Sequence, residues 1–381
     1  MTELPKRVRV VVVGGGIVGV SVARHLAGLG ETDVLLLERE PMLGSRASAA
    51  SAGGLRQQFS TEHDVLMAME GVRQIRRLAE DTGHHPEFRS HGYLMLACGE
   101  PRMRAYEAGA ALQRRLGLPV ETLSPAEVAR RWSILDASDV LGAVFCGTDG
   151  ICDPHAVVQG FATYARTRGV RIATEVEVTG LLLDGPAVRG VTTNHGTVRS
   201  EIVVNAGGAW AARVAATAGL ALPLRPCKRQ IFSTRPFPLP PDLPLVLDLD
   251  RRFYFRPESG GAILSAAEVE EVADLEPVLD WSGVPDLVER AVHRCPTLAE
   301  ASIARGWAGL RTLTPDDSAI LGEVPGRPGL ILAVGLGGHG ITQGPAVGLA
   351  VAELIVRGES SALPLAPFHV GRFSDPPLSI V

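Results

Sequence analysis

Lysine is nearly absent from this chain. Of 37 basic residues only Lys6 and Lys228 are lysines, so any chemistry built on an ε-amine is confined to those two positions. Cysteine is scarce and odd in number: Cys98, Cys146, Cys152, Cys227 and Cys295 are scattered without C-x-x-C spacing. That pattern speaks against a disulfide framework or a zinc site and for reduced thiols in a cytosol, and no metal is expected. Neither sign of charge dominates, with 37 basic and 42 acidic residues, so there is no basic field for nucleic acid or an anionic membrane surface. Uninterrupted apolar runs are missing too. Residues 330–356 are broken by several glycines, His339, Gln343, Pro345 and Glu353, which excludes a membrane span. The basic, then apolar, N-terminal stretch is a short strand cut by glycines, with no small-residue cleavage site, and is not read as a signal peptide. The expectation is a soluble, cytoplasmic protein. Its 381 residues, 46% of them hydrophobic, suffice for one large domain or two intimate ones.

The chain does have glycine, placed with regularity. Residues 8–13 form a β-branched run suited to a buried parallel strand, and Gly14, Gly16 and Gly19 follow as G-x-G-x-x-G before a helical stretch opening at Ile17 and Val18. Gly14 permits the tight turn, Gly16 lets backbone approach a pyrophosphate, and Gly19 packs helix on strand. The pyrophosphate would rest on the exposed amides and the positive end of the helix dipole. A second strand, residues 33–38, ends in Glu38 with Arg39 beside it; an acid there suits a ribose 2′-hydroxyl. The unit is read as dinucleotide-binding, the alternative being a glycine-rich βαβ unit that binds nothing.

The stretch "GSRASAASAGGLRQQFS" at 44–60 is irregular and small-sided. Arg46, Ser48, Ser51, Ala52, Gly53 and Gly54 could crowd a phosphate or a ring there, or form a plain loop. A helix follows with Val65, Met69, Val72, Ile75 and Leu78 on one stripe. Residues 88–97 read as a strand, Ser124-Pro125 with Glu127 as a capping box, Asp153 as an N-cap with His155 exposed, and Asp184-Gly185 as a hairpin turn. From Arg225 the texture becomes that of an antiparallel sheet, closed by the amphipathic "VPDLVERAVHR". The fold class is therefore α/β: a discontinuous Rossmann-like nucleotide domain of residues 1–84, 147–218 and 320–375, with a substrate domain of residues 85–146 and 219–319 inserted as a largely antiparallel sheet. No solenoid repeat is present.

A second strand-to-helix glycine turn, "AVGLGGHGI", lies at 333–341. Together with the first turn, Glu38, "ASAASAGG", "DPH", "NAGGAW" and "WAGLRTLTPD", it stands in the order seen in flavoenzymes of the D-amino-acid oxidase superfamily. The chain resembles the glycine oxidase and sarcosine oxidase β-subunit branches over about residues 8 to 373. The resemblance implies a glutathione-reductase-type fold and FAD held without a covalent link, because no cysteine lies beyond Cys295 and no histidine between His25 and His63. It implies that Val176 contacts the adenine by its backbone, and that Ala206, Gly207 and Gly208 line the flavin. Gly335, Gly337, Gly338, His339, Gly340, Ile341 and Thr342 would set a helix N-terminus against the pyrimidine edge of the ring, answering negative charge there.

By the same resemblance Arg311 would pair the substrate carboxylate, Tyr254 would close the pocket, and His339 would tune the ring or merely pack. Three departures stand out: Gly338 replaces a second arginine, Thr342 replaces a lysine, and Ile263 falls where an oxygen-activating lysine is expected. Arg56 or Arg256 is left as the second cation. The implied activity is oxidation of the C–N bond of glycine or an N-substituted glycine, giving an imine that hydrolyses to glyoxylate or a keto acid plus amine, with O2 as acceptor and H2O2 as product. Two alternatives stay open: an amino-acid (D-amino acid, proline or hydroxyproline) dehydrogenase subunit passing electrons to a quinone or partner flavoprotein, and a non-catalytic flavin-binding assembly factor. A homo-oligomer is compatible with all three. For an apolar N-substituent, Phe253, Tyr254 and Phe255 offer alternate positions on one strand.

Overall fold

In the computed structural model, which describes residues 4–267 and 270–373, the run Arg7–Val13 is a strand at the middle of a largely parallel sheet. Val10 stands opposite Val34 on one side and Ile202 on the other, both pairings parallel. Among the described residues the strand order is Ile320–Glu323, Leu330–Val334, Gly196–Asn205, Arg7–Val13, Val34–Leu37 and Arg171–Ala173. The hairpin Val178–Asp184/Ala187–Thr193 joins at Gly196–Asn205, turning where Gly185 takes φ +57°. Both faces are covered, which is why the strands read as continuous apolar runs. Val10, Val12 and Leu36 pack under the helices Ile17–Gly28, Pro154–Thr167 and Gly340–Arg357, while Val11, Leu35 and Leu37 pack under the hairpin and Ala211–Ala216. Residues 1–3 and 374–375 of the expected boundaries lie outside the described residues.

A second sheet runs Glu270–Glu271, Arg225–Thr234, Gly261–Ala266, Phe253–Glu258, Leu245–Asp248, Tyr93–Ala97, Gly142–Cys146 and Val120–Leu123, with Ile303–Leu313 on the free side of Arg225–Thr234. It is antiparallel except where Leu245–Asp248 runs parallel to Tyr93–Ala97. The strand expected at 88–97 is shorter, since Gly92 at φ +82° breaks it and Arg89 makes only an isolated bridge to Ile151. In the "ASAASAGG" region Gly54–Leu55 pairs with Gly150–Ile151.

The helix Glu62–Arg76 wedges between the layers, so its buried face is wider than one stripe. Val72 and Ile75 join Met67 in the first core, Val65 and Ala68 face Met95 and Val120 of the second sheet, Met69 is half-buried, and Leu78 opens a separate short helix. The caps form as the sequence signals. Ser124 and Glu127 exchange both bonds of a capping box, and Asp153 accepts from the exposed His155 at 2.8 Å.

The helices Ile17–Gly28 and Gly340–Arg357 approach unusually closely, and glycine allows it. A Cβ at Gly348 would lie 2.1 Å from Ser21 Oγ and 2.5 Å from the Ser21 carbonyl carbon. The hydroxyl can rotate away, but the backbone carbon cannot. Gly348→Ala should therefore cost about 1–3 kcal/mol, the range for an overpacked core. The expected readout is a lower urea midpoint with an unchanged slope; a midpoint equal to that of the parent protein would show that the helices part freely.

Candidate active site

The two glycine turns deliver two helix N-termini to one place. Gly14 turns at φ +103°, with its Cβ position 2.6 Å from the Ala206 carbonyl oxygen, and the Cβ position of Gly19 lies 1.9 Å from Gly14 O. Only bare backbone fits at either position, so the helix seats directly on the turn. The second turn leaves strand Leu330–Val334 with Gly335 at φ +77° and Gly337 at φ +55°. Its helix then runs beside the first: Ile17 lies 3.7 Å from the Cβ position of Gly340 and 3.3 Å from that of Gly344. Both starts stand at the carboxyl ends of parallel strands, where open α/β sheets take their ligands.

Neither helix is finished by its own side chains. Thr61, Ser124 and Asp153 cap their helices, whereas Gly16 and His339 provide no side-chain cap and no acid occupies either first turn. One amide, Ile17 N–H, donates to Ser48 Oγ at 3.1 Å. What is left at the two ends is a set of donors and a positive dipole end, suited to an anion.

Two cavities open there and share Ala47 and Ser48. The first, about 400 Å³, is lined by Gly14, Gly16, Glu38, Arg39, Arg46, Ser48, Val176, Ala206, Gly207 and also Trp210. Glu38 is tied down by the amides of Gly15 (2.6 Å) and Glu40 (2.8 Å). Val176 gives its N–H to Glu38 O at 2.9 Å, which leaves its carbonyl for a ligand. Arg39 lies over the Trp210 ring at 3.9 Å, and Arg46 bonds Glu40 at 2.7 Å.

The second cavity, about 350 Å³, is lined by Ile17, Ser51, Ala52, Gly54, Tyr254, Arg311 and the turn Gly337, Gly338, His339, Gly340, Ile341 and Thr342. Its roof is one face of the second sheet, carrying Tyr93, Arg229, Ile231, Leu245 and Leu247. Gly337 N–H donates to Thr312 O at 3.0 Å, clamping the end of strand Ile303–Leu313 to the glycine turn. This is what brings Arg311 to the cavity. Its guanidinium packs on Gly338, whose Cβ position is 2.4 Å from Arg311 Cζ, and it has no hydrogen-bonding or ionic partner among the described residues. Burial holds its pKa below the ordinary arginine value.

Arg56 enters from the opposite side. Nη1 donates to Gln58 O at 3.1 Å and Nη2 to His339 Nε2 at 3.0 Å. Burial, then the charges of Arg56, Arg311 and Arg229, hold the imidazole well below its usual pKa. His339 is therefore neutral, accepting at Nε2 and carrying its proton on Nδ1. Burial also pushes the Tyr93 phenol upward. Three guanidinium groups, those of Arg56, Arg229 and Arg311, thus line a cavity in which, among the described residues, no carboxylate appears; Arg229 donates to Ala266 O.

Some expected residues stand elsewhere. Val18, Gly19, Gly53 and Gly335 line neither cavity. Gly19 and Gly53 serve close backbone approach instead, the Cβ position of Gly53 being 2.3 Å from Cys152 O. Of the aromatic triplet only Tyr254 faces the cavity; Phe253 and Phe255 point the other way, fully buried, because neighbours on a strand alternate. Arg256 is committed to Ala52 O and Glu258, so of the two candidate cations only Arg56 reaches the site. Ile263 is buried and lines neither cavity. Sequence reasoning missed Tyr93 and Arg229. Period-2 alternation on their strands offered a signal, but which face looks at the site is a tertiary fact.

An FAD molecule needs an anion seat between two ring-binding ends, and the joined cavities with bare helix N-termini at their junction fit that need. A family model for FAD dependent oxidoreductases (DAO) matches residues 9–354. Mitochondrial sarcosine dehydrogenase of Homo sapiens is 31% identical over 93% of this chain, which spans only 40% of that relative's length. The crystal structure of glycine oxidase from Geobacillus kaustophilus is 30% identical with a TM-score of 0.86, covering 97% of this chain and 99% of its own. That of L-proline dehydrogenase from P. horikoshii is 31% identical with a TM-score of 0.91, covering 99% and 100%. The expected α/β architecture is the one these two structures share. Since the family match runs from the first strand nearly to the end of the last long helix, no wall of the site falls outside it, and the chain belongs to the FAD dependent oxidoreductase (DAO) family as an FAD-dependent enzyme.

Proposed function

We propose that the enzyme oxidises the C–N bond of a small amino acid, glycine or an N-substituted glycine, whose carboxylate rests on Arg311. One observation carries this reading: Arg311 presents a planar, buried guanidinium without an anionic partner to a cavity that also receives the Arg56 charge. A buried cation of this kind calls for a counter-ion, and a carboxylate matches its fork. FAD, when bound, supplies the acceptor for the hydride that leaves the α-carbon. Gly14, Gly16 and the helix start at Ile17 would hold its pyrophosphate, Glu38 the ribose, the Val176 carbonyl the adenine, and residues 337–342 the ring.

The chain's own residues do the rest by placement. Arg311 orients the carboxylate, and Tyr93 and Tyr254 offer hydroxyl donors on the same roof. His339, kept neutral, adds no further positive charge beside the arginines. Ile231, Leu245, Leu247 and Leu249 make an apolar wall that excludes water and suits an apolar N-substituent. The substrate amine must be neutral, with its lone pair free, and the imine so formed takes up water to give glyoxylate or a keto acid plus an amine. A second reading keeps the chemistry and changes the acceptor from O2 to a quinone or partner flavoprotein. The likeness to L-proline dehydrogenase favours it, and so does the position of both lysines away from the cavity lining.

Anaerobic flavin bleaching tests the reading. N-alkylglycines should reduce the flavin faster as the alkyl group lengthens, each buried methylene contributing up to about 0.8 kcal/mol; fastest reduction by D-amino acids or proline, with N-alkylglycines inert, would reject the substrate class. Oxygen uptake during turnover then separates the two acceptors. Arg311→Ala should raise KM for carboxylate substrates at least about tenfold at unchanged FAD content, since truncating a buried charge pair costs about 2–5 kcal/mol. Arg311→Lys should recover only part of that, the fork being lost; an unaltered KM in the alanine variant removes Arg311 as the anchor. None of the five cysteines lines either cavity, so acid precipitation should leave all the flavin in the supernatant, and yellow colour in the washed pellet would show a covalent link.

A further inference from the structure

One buried carboxylate has no part in this scheme. Asp149 lies in the turn between strands Gly142–Cys146 and Gly150–Ile151, and it is wholly buried outside both cavities. No arginine or lysine pairs with it among the described residues. Its Oδ1 accepts from the Gln57 backbone N–H at 2.9 Å and from Gln57 Nε2 at 3.0 Å, and its Oδ2 accepts from Gln58 Nε2 at 2.9 Å. Gln57 Nε2 also donates to Thr148 Oγ1 at 3.1 Å, and Gln58 Nε2 to Tyr93 O at 3.2 Å. Burial without a bonded cation is costly, and it pushes the carboxyl up to about 6 although the glutamine donors and the nearby Arg56 charge pull it down. A group kept at such cost needs a reason, and the segment it holds provides one.

Residues 56–59 belong to no helix or strand, so their path is set by the bonds made to them. The Arg56 guanidinium is in turn held within this segment and by the glycine turn: by Gln58 O at 3.1 Å, by the Phe59 ring at 4.4 Å, and by His339 Nε2 at 3.0 Å. Phe59 meets His339 edge-on at 4.8 Å and 88°. Asp149 thus fastens the back of the same short stretch whose front presents Arg56. We propose that Asp149 is a positioning residue for substrate binding: by anchoring Gln57 and Gln58 it sets where Arg56 places its charge against His339 and the substrate carboxylate. The inference rests on the carboxylate reading of the cavity.

The test is a double-mutant cycle on the FAD-loaded enzyme, using sarcosine for kinetics and acetate, read through the flavin spectrum, for binding without turnover. Asp149→Ala should raise sarcosine KM and acetate Kd by about tenfold, with kcat within about threefold and FAD content unchanged. In an Arg56→Ala background the same substitution should add almost nothing, because both changes remove one presented charge. Amide exchange at residues 56–59 should quicken in Asp149→Ala with or without acetate. If Asp149→Ala does not fold, Asp149→Asn enters the cycle, since it keeps the shape and removes the charge. Equal losses in the Arg56 and Arg56→Ala backgrounds, or slow exchange at 56–59 in the variant, would overturn the proposal. Acetate and sarcosine binding unchanged in Arg311→Ala would instead overturn the carboxylate reading, and the exchange measurement would then judge Asp149 by itself.

Discussion

How closely two helices can lie governs nearly everything at this site. Ile17 fits against Gly340 and Gly344, Gly348 against Ser21, and Gly71 against Thr342, so that a third helix, Glu62–Arg76, closes on the same bundle. A side chain at Gly348 or Gly71 would meet the backbone of the neighbouring helix and hold the helices apart. Their N-termini would then no longer share one junction, and the Thr312–Gly337 bridge that carries Arg311 to the cavity would lose its register. Packing and electrostatics are therefore one constraint here: the positive ends of two dipoles and the guanidinium of Arg311 are brought together by close backbone packing and by the Gly337–Thr312 hydrogen bond.

That convergence creates a charge problem, and the rest of the pocket manages it. Arg56 and Arg311 both have pKa values depressed by burial, and the imidazole between them is kept neutral by the same burial and by their charges. Asp149 offsets part of this from behind the wall without entering the cavity, and its oxygens are taken by amides rather than by the guanidinium. The cations thus face the cavity unquenched. A site arranged this way is preorganised for an anion, whose arrival requires no ion pair to be broken first.

The apolar roof and the cation pair come from different parts of the chain, and they act on different ends of the same small ligand. Leu245, Leu247 and Tyr254 belong to adjacent strands of the second sheet, while Gly337 to Thr342 belong to the turn and helix start that follow strand Leu330–Val334 of the first sheet. Strand Ile303–Leu313 joins them, pairing with Arg225–Thr234 along its length and touching Gly337 at its end. Because that strand spans both layers, the distance between roof and floor is not free to vary locally.

Local features were legible in the residues alone. The G-x-G-x-x-G turn, the Glu38 strand end, the Ser124 and Asp153 caps, the Asp184-Gly185 hairpin and the second glycine turn each depend on residues within a few positions of one another. Such features follow from backbone sterics and short-range hydrogen bonds, which sequence order specifies directly. The faces that look into the cavity were decided only by tertiary structure. Nothing near Arg56 in the chain distinguishes it from Arg256, and although the resemblance pointed to Tyr254, only the packed sheet turns Phe253 and Phe255 away from the cavity. Arg256 is drawn to Ala52 O and Glu258, and Arg56 to His339, 283 positions away, because two sheets and a glycine turn happen to meet there. Burial, charge and the supply of partners across such distances are properties of the packed whole, and they selected which arginine, and which side of each strand, became the site.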